Sequence, residues 1–146
     1  MNVNKQQKIG IVGYGYLGKS LHHALADSNI EVARIYNRSA EKLEGLSESL
    51  TTTRMEHFME SVADLDLIIE LAHPDISKQW GSQILQDTDY MPCAVAALAD
   101  EKIKESLLKT ASKAGTRLLV PHGAVVGIDN IYEARDNWEE VTITFR

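Results

Sequence analysis

The sequence predicts an α/β domain, a doubly wound parallel sheet with helices on both faces, on three observations. Apolar runs of strand length alternate with segments of helical periodicity from Lys8 to Gly123, the pattern of parallel strands joined by crossover helices. Three glycines, Gly13, Gly15 and Gly18, stand where the first strand gives way to the first helix. The segment Asp66 to Ala72, D-L-I-I-E-L-A, is almost continuously apolar, as a strand covered on both faces must be.

Composition narrows the function classes. A chain of 146 residues with 44% apolar content suffices for one domain with a real core and is too short for two full ones. A net charge of −6 without clustered Lys and Arg argues against nucleic acid as a partner. Cys93 is the only cysteine, so no intrachain disulfide or thiolate metal cluster is expected and a reducing compartment suits the chain. Residues 1–7 form a polar tail without the apolar core of a signal peptide, and no run reaches membrane-spanning length. A cytoplasmic chain with no membrane partner is the expectation.

Taken in order, Ile9, Ile11 and Val12 make the first strand, and the glycines follow as G-x-G-x-x-G. Closing a strand and opening a helix, that spacing is a dinucleotide-binding fingerprint and makes the fold Rossmann-like. Gly13 allows the tight turn, Gly15 lets the backbone approach a pyrophosphate, and Gly18 lets the helix pack closely on the strand. The phosphates would meet free N–H groups at the positive end of the helix. Leu17, Leu21, Ala24 and Leu25 set the first helix, which stops at Asp27-Ser28-Asn29. His22 and His23 are adjacent, point about 100° apart and cannot share a metal; both are expected at the surface or at its boundary with the core.

Ile30 to Tyr36 is the second strand, ending in Asn37-Arg38-Ser39. Asn37 falls about twenty residues beyond the glycines, where an acidic residue would grip the ribose hydroxyls of NAD. An amide followed by a cation and a hydroxyl can instead hold a 2′-phosphate, so NADP or NAD is expected as cofactor with NADP slightly preferred. The plainer alternative makes Arg38 solvated and Ser39 the N-cap of a helix through Leu46. A third strand is expected at Leu50–Arg54, a short helix at Met55–Val62 and the fourth strand at Asp66–Ala72. That strand runs into His73-Pro74, where His73 is either a ligand contact or a loop residue, and Pro74 starts the helix Ile76–Leu85. Tyr90–Ala97 is the fifth strand with Pro92 near its start, and Cys93 reads as a small buried hydrophobe. Asp100 caps a helix whose buried stripe is Ile103, Leu107, Leu108 and Ala111, and Gly115 ends it. Thr116–Val120 is the sixth strand, closing at Pro121-His122-Gly123-Ala124. The strand ends thus gather Gly13 to Gly18, Asn37 to Ser39, Ala72 to Pro74, Ala97 and His122 to Ala124 along one edge.

The segments G-Y-G-Y-L-G, Y-N-R, E-L-A-H-P, A-L-A-D and G-A-V-V-G-I-D-N-I, in that order, resemble the amino-terminal domain of the L-aspartate dehydrogenases, especially the animal aspartate-dehydrogenase-domain proteins. The resemblance covers nearly the whole chain. It implies a domain that holds NAD or NADP in an enzyme interconverting L-aspartate and iminoaspartate, the latter formed from oxaloacetate and ammonia. By matching motif, Gly13, Gly15, Tyr16, Leu17 and Gly18 would hold the pyrophosphate, and Asn37, Arg38 and Ser39 the adenosine ribose. Ala72, His73, Pro74 and Ala97 would flank the middle of the dinucleotide, with Ala124 near the nicotinamide; His122 stands where many relatives carry a small residue.

Family members continue into a second α+β domain that carries the substrate pocket and a catalytic histidine, so no catalytic residue is expected in this chain. Residues 8–124 are expected to form the NAD(P)-binding domain, and 125–146 a connecting helix and the first strand of a missing catalytic domain. In that strand Val141, Ile143 and Phe145 share one apolar face, and an open strand of this kind favours a homodimer. The expected partners are therefore a dinucleotide, a dicarboxylic amino acid and a second copy. A non-enzymatic sensor of NADP(H) is the alternative. A sugar-oxidoreductase type would carry Glu-Lys-Pro where this chain has Ala97-Leu98-Ala99.

Overall fold

The computed structural model describes residues 6–123, 128–142 and 144. Five parallel strands form one sheet: β1 (Gln7–Val12), β2 (Ile30–Tyr36), β3 (Thr51–Thr52), β4 (Leu67–Glu70) and β5 (Asp89–Pro92), in the order β3-β2-β1-β4-β5. The order reverses between β1 and β4, which opens a crevice at the carboxyl ends of these two strands, where ligands lie in folds of this kind. Helices α1 (Tyr16–Leu25), α2 (Met55–Met59), α3 (Pro74–Asp87) and α4 (Glu101–Ala114) follow β1, β3, β4 and β5, and α5 covers Ile128–Glu133.

Alternation along the strands divides the core between the two faces of the sheet. Ile9, Ile11 and Ile35 pack with Leu21 and Leu25 of α1 and with Leu43. Val12 and Ile68 pack on the other face with Phe58 of α2, Ile84 and Leu85 of α3, and Leu107 and Ala111 of α4. A strand buried on both faces needs apolar residues at successive positions, which Leu67, Ile68 and Ile69 supply. The next residue, Glu70, is a carboxylate with no solvent exposure.

Several expected boundaries move. The fourth strand, expected at Asp66–Ala72, is limited to Leu67–Glu70, and the third, expected at Leu50–Arg54, pairs only Thr51 and Thr52 with Ile35 and Tyr36. The fifth strand ends at Pro92, and a 3-10 turn at Val95–Ala99 replaces its expected second half. Proline has no N–H for the ladder, and Pro92, expected near the start of the strand, closes it. The sixth strand is reduced to one parallel bridge between Leu118 and Tyr90. Tyr90 N donates to the Arg117 carbonyl at 2.9 Å, Leu119 N donates to the Tyr90 carbonyl at 2.8 Å, and the Arg117 guanidinium grips Asp89. The helix expected through Leu46 is a single 3-10 turn at Ala40–Leu43, and no Ser39 side-chain cap accompanies it.

Two helices bury a different stripe from the one expected. Gly18 is the buried residue of α1, with Leu21 and Leu25 on the core, while Leu17 is 60% exposed and Ala24 is also exposed. The close approach at Gly18 rotates the contact face by one residue, and a face one position round covers 18, 21 and 25. In α4, Leu107 and Ala111 are buried and Ile103 is partly so, but Leu108 is 49% exposed because it lies 100° round the helix from Leu107. Asp100 caps α4 through Lys102 N and Ile103 N, and Gly115 ends it at φ 76°, both as expected.

The packing of α3 on β5 is tied by one buried polar pair, the Ser77 and Tyr90 hydroxyls at 2.8 Å. Burial pushes the Tyr90 phenol well above its ordinary range, so it stays protonated and able to donate. Tyr90→Phe, which strips the Ser77 hydroxyl of this partner, is expected to lower the unfolding free energy by about 1–3 kcal/mol in a denaturant titration. Adding Ser77→Ala should recover part of that loss; a double variant no better than the single one would place the loss elsewhere.

Candidate functional site

The crevice at the strand switch is built largely from main chain. Gly13 follows β1 at φ 104°, a conformation that disfavours every residue with a side chain. Its N–H donates to the Tyr36 carbonyl at 2.8 Å, and a Cβ on it would lie 2.8 Å from Ala72 N. A Cβ on Gly18 would strike the Gly13 carbonyl oxygen, so α1 sits directly on the turn. Gly15 differs from both. It is the N-cap of α1 at φ −80°, and apart from its chain neighbours and its own helix nothing lies within 4 Å of where its Cβ would be.

The first turn of α1 has no side-chain cap and no acidic residue. A helix N-terminus presents unsatisfied N–H groups and a partial positive charge. Tyr16, which is 85% exposed, and Leu17 stand on this turn with their side chains outside the cleft lining.

Asn37, at the end of β2, braces the glycine turn from the side. Its Oδ1 accepts from Tyr14 N at 3.0 Å, its Nδ2 donates to the Ser39 carbonyl at 2.9 Å, and its own N–H donates to the Thr52 carbonyl. Tyr14 turns inward, where its hydroxyl meets His22 Nδ1 at 2.7 Å. Burial raises the Tyr14 phenol, and burial followed by the neighbouring His23 lowers His22, so a neutral pair is favoured.

A cleft of about 630 Å³ opens between these elements. Gly13, Gly15, Asn37, Arg38 and Ser39 line one side, and Leu71, Ala72 and His73 the other. Lys42, Ile76 and Gln79 complete the wall, with Asp75 at the start of α3. Arg38 and Lys42 are exposed, and their charged ends have no hydrogen-bond or ion-pair partner among the described residues. His73 serves two purposes: it lines the cleft, and as N-cap of α3 it accepts from Asp75 N at 3.3 Å while lying 3.2 Å from Asp75 Oδ2. Pro74 is the first helical residue of α3, where its fixed φ and missing N–H suit the helix start. Ala97 is fully buried in the turn after β5 and does not reach the cleft. Ala124 lies outside the described residues, as do Ile143, Phe145 and Arg146. Cys93 is half-buried, and burial followed by the Glu70 charge raises its thiol, which favours the unreactive protonated form.

Sequence reasoning missed Glu70 and Lys42. The signal for Glu70 was there, a lone charge in an apolar strand. Its Oε1 accepts from Ala72 N at 2.6 Å and His73 N at 2.7 Å, and its Oε2 from Ala94 N at 3.2 Å. Lys42 reaches the cleft because the segment after Ser39 makes a tight 3-10 turn, which helical spacing did not anticipate.

These features define a class of domain, a doubly wound α/β unit with a glycine turn at its first crossover and a cleft at the strand switch. The family described as "Homoserine dehydrogenase, NAD binding domain" matches residues 13–121, and the chain belongs to that family; it carries an NAD-binding domain. The aspartate dehydrogenase domain-containing protein of Danio rerio is 32% identical over 139 residues, covering 92% of this chain and 50% of that protein. The L-aspartate dehydrogenase of Methanosarcina mazei is 34% identical over 145 residues, covering 95% of this chain and 54% of the relative. The chain thus spans about half the length of the curated relatives it matches. Among solved structures, aspartate dehydrogenase from Thermotoga maritima shares the fold with a TM-score of 0.70 at 24% identity, over 90% of this chain and 52% of that one. An engineered D-amino acid dehydrogenase bound to NADP+ shares it with a TM-score of 0.70 at 20% identity, over 90% of this chain and 42% of that one. No helix among the described residues is long and apolar enough to cross a membrane.

Burial raises the Glu70 carboxyl above its ordinary range, against the three amide hydrogen bonds and the His73 charge, which pull it down. A raised folded-state value means that stabilisation is complete below the unfolded value and is lost as pH rises through the folded one. The melting temperature of Glu70→Gln minus that of the wild type should therefore climb between about pH 4 and 8. Titrations of groups that do not feel the Glu70 charge cancel in that difference, and a flat or falling difference would contradict the assignment.

Proposed function

We propose that the chain is the cofactor-holding half of an L-aspartate-dehydrogenase-type oxidoreductase, with the dinucleotide lying across the carboxyl ends of β2, β1 and β4. The single observation that carries the reading is Gly15: the space beside it is open, at an uncapped helix start with no acidic residue in the first turn. A diphosphate fits that mouth on charge and on room, each charge gaining about 0.3–1 kcal/mol from the helix dipole. Gly13 and Gly18 have a different duty, since both are already filled by neighbouring main chain. They shape the mouth, and Gly15 with the amides of Tyr16, Leu17 and Gly18 receives the ligand.

The ribose of the adenosine half falls to Asn37 and Ser39. Asn37 has one amide hydrogen left beyond its bond to the Ser39 carbonyl. Arg38 and Lys42 supply two cations at the same corner, which favours NADP over NAD. Ala72, His73 and Pro74 border the middle of the dinucleotide, while Ala97, buried behind the turn after β5, makes no direct contact with it. When bound, the cofactor supplies hydride exchange at its nicotinamide ring. The chain's own residues bind it, orient it and shield its diphosphate from water. The reaction this half serves is L-aspartate + NAD(P)+ to iminoaspartate + NAD(P)H + H+, iminoaspartate then taking up water to give oxaloacetate and ammonia. The relatives in Danio rerio and Methanosarcina mazei support that substrate class by their names. The remaining length of such relatives is where the substrate pocket is placed, so the 146-residue chain alone is expected to bind cofactor and to turn over little aspartate. A cytoplasmic setting suits the single thiol, and self-association through the alternating tail 141–146 completes the reading.

Titrating the purified chain with NADPH and NADH, followed by nicotinamide fluorescence, tests this directly. Gly15→Val should abolish binding of both while moving the unfolding free energy by less than about 1 kcal/mol, because the side chain enters empty space at a negative φ. Undiminished binding by that variant would remove the diphosphate from the glycine mouth. Arg38→Ala, and separately Lys42→Ala, should weaken NADP by about 1.5–3 kcal/mol, the range for a hydrogen bond to a charged group, and leave NAD nearly unchanged. Equal losses for the two cofactors would withdraw the 2′-phosphate from this corner.

A further inference from the structure

Glu70 stands at a point where an apolar residue would serve the sheet better. Its strand neighbours are Val12 of β1 and Pro92 of β5, and its side chain has no solvent exposure. A buried carboxylate is destabilising unless amides or cations satisfy it. Here the three donors come from two different loops: Ala72 and His73 after β4, and Ala94 after β5. The Glu70 carbonyl adds a fourth tie, accepting from Cys93 N at 2.8 Å. The titratable groups that feel its charge are His73, Tyr90 and Cys93.

The two loops have different places along the cleft. Ala72 and His73 line it, whereas the loop after β5 lies one strand further from Asn37, on the side opposite the adenosine corner. We propose that Glu70 is a positioning residue: it locks the loop after β5 to the loop after β4 and so holds the nicotinamide side of the cofactor edge in register with the adenosine side. This rests on the dinucleotide reading of the cleft. One carboxyl group satisfies the three amides at once, two at Oε1 and one at Oε2. Glutamine keeps an oxygen for the Ala72 and His73 pair but turns an NH2 toward Ala94 N–H, so it releases the β5 loop alone.

The test uses the purified chain and three ligands: NADH and NADPH, which need both ends of the edge, and ADP, which needs only the adenosine end. In Glu70→Gln the two reduced dinucleotides should bind about tenfold more weakly while ADP stays within about twofold of wild type. Ala94→Pro removes the same hydrogen bond from the other side, at a φ of −80° that proline accepts, and should reproduce the pattern. It carries the test alone if Glu70→Gln fails to fold. Dinucleotide binding unchanged in the folded variants would overturn the proposal, as would ADP weakened as much as the dinucleotides. A wild-type chain that binds none of the three would overturn the cleft reading, and this proposal with it.

Discussion

Three pieces of main chain meet at the carboxyl edge of the sheet with almost no side chain between them, and the rest of the site is placed by that meeting. A Cβ on Gly13 would run into the backbone of Leu71 and Ala72, and one on Gly18 into the Gly13 carbonyl. Any Cβ at either glycine would force β1, β4 and α1 apart by a distance that close packing does not absorb. The same contact aims the first turn of α1 across the mouth of the strand switch, so a packing constraint and a binding geometry have one cause.

Around that contact, polar side chains act as braces before they act as ligands. Asn37 holds Tyr14 N and the Ser39 carbonyl, Asp100 caps α4, and Thr88 donates to the Val62 and Leu65 carbonyls. Glu70 is the extreme case, a charge kept inside the sheet that bonds only main chain. Such groups cost stability when left unsatisfied, and here each is satisfied by the loop it fixes. The cations show the opposite economy: Arg38 and Lys42 stay exposed and make no ion pair among the described residues, which leaves their charge for a ligand.

The sheet edge farthest from the glycine turn is held differently. A single bridge, two main-chain hydrogen bonds and the Asp89 and Arg117 pair attach residues 117–119 to β5. The guanidinium is exposed, so the charged contact itself is well solvated on that side, and the Asp89 carboxylate also accepts from Arg117 N at 2.8 Å. The weight of the attachment falls on the main-chain bonds and on Leu118, which packs against the core on the α3 and α4 face.

By itself the sequence determined the alternation of strands and helices, the conformations of Gly13 and Gly115, the cap at Asp100 and the meeting of Gly13, Gly15, Asn37 to Ser39, Ala72 and His73 at one cleft. These depend on local periodicity, on φ and on the absence of a Cβ, which nearest neighbours fix. Tertiary structure alone decided which stripe α1 buries, where β5 stops, and that Lys42 and Gln79 join the cleft beside Arg38. Those outcomes turn on how close two segments distant in the chain can approach. The approach at Gly18 and the three amides around Glu70 are set only when β1, β4 and β5 lie side by side.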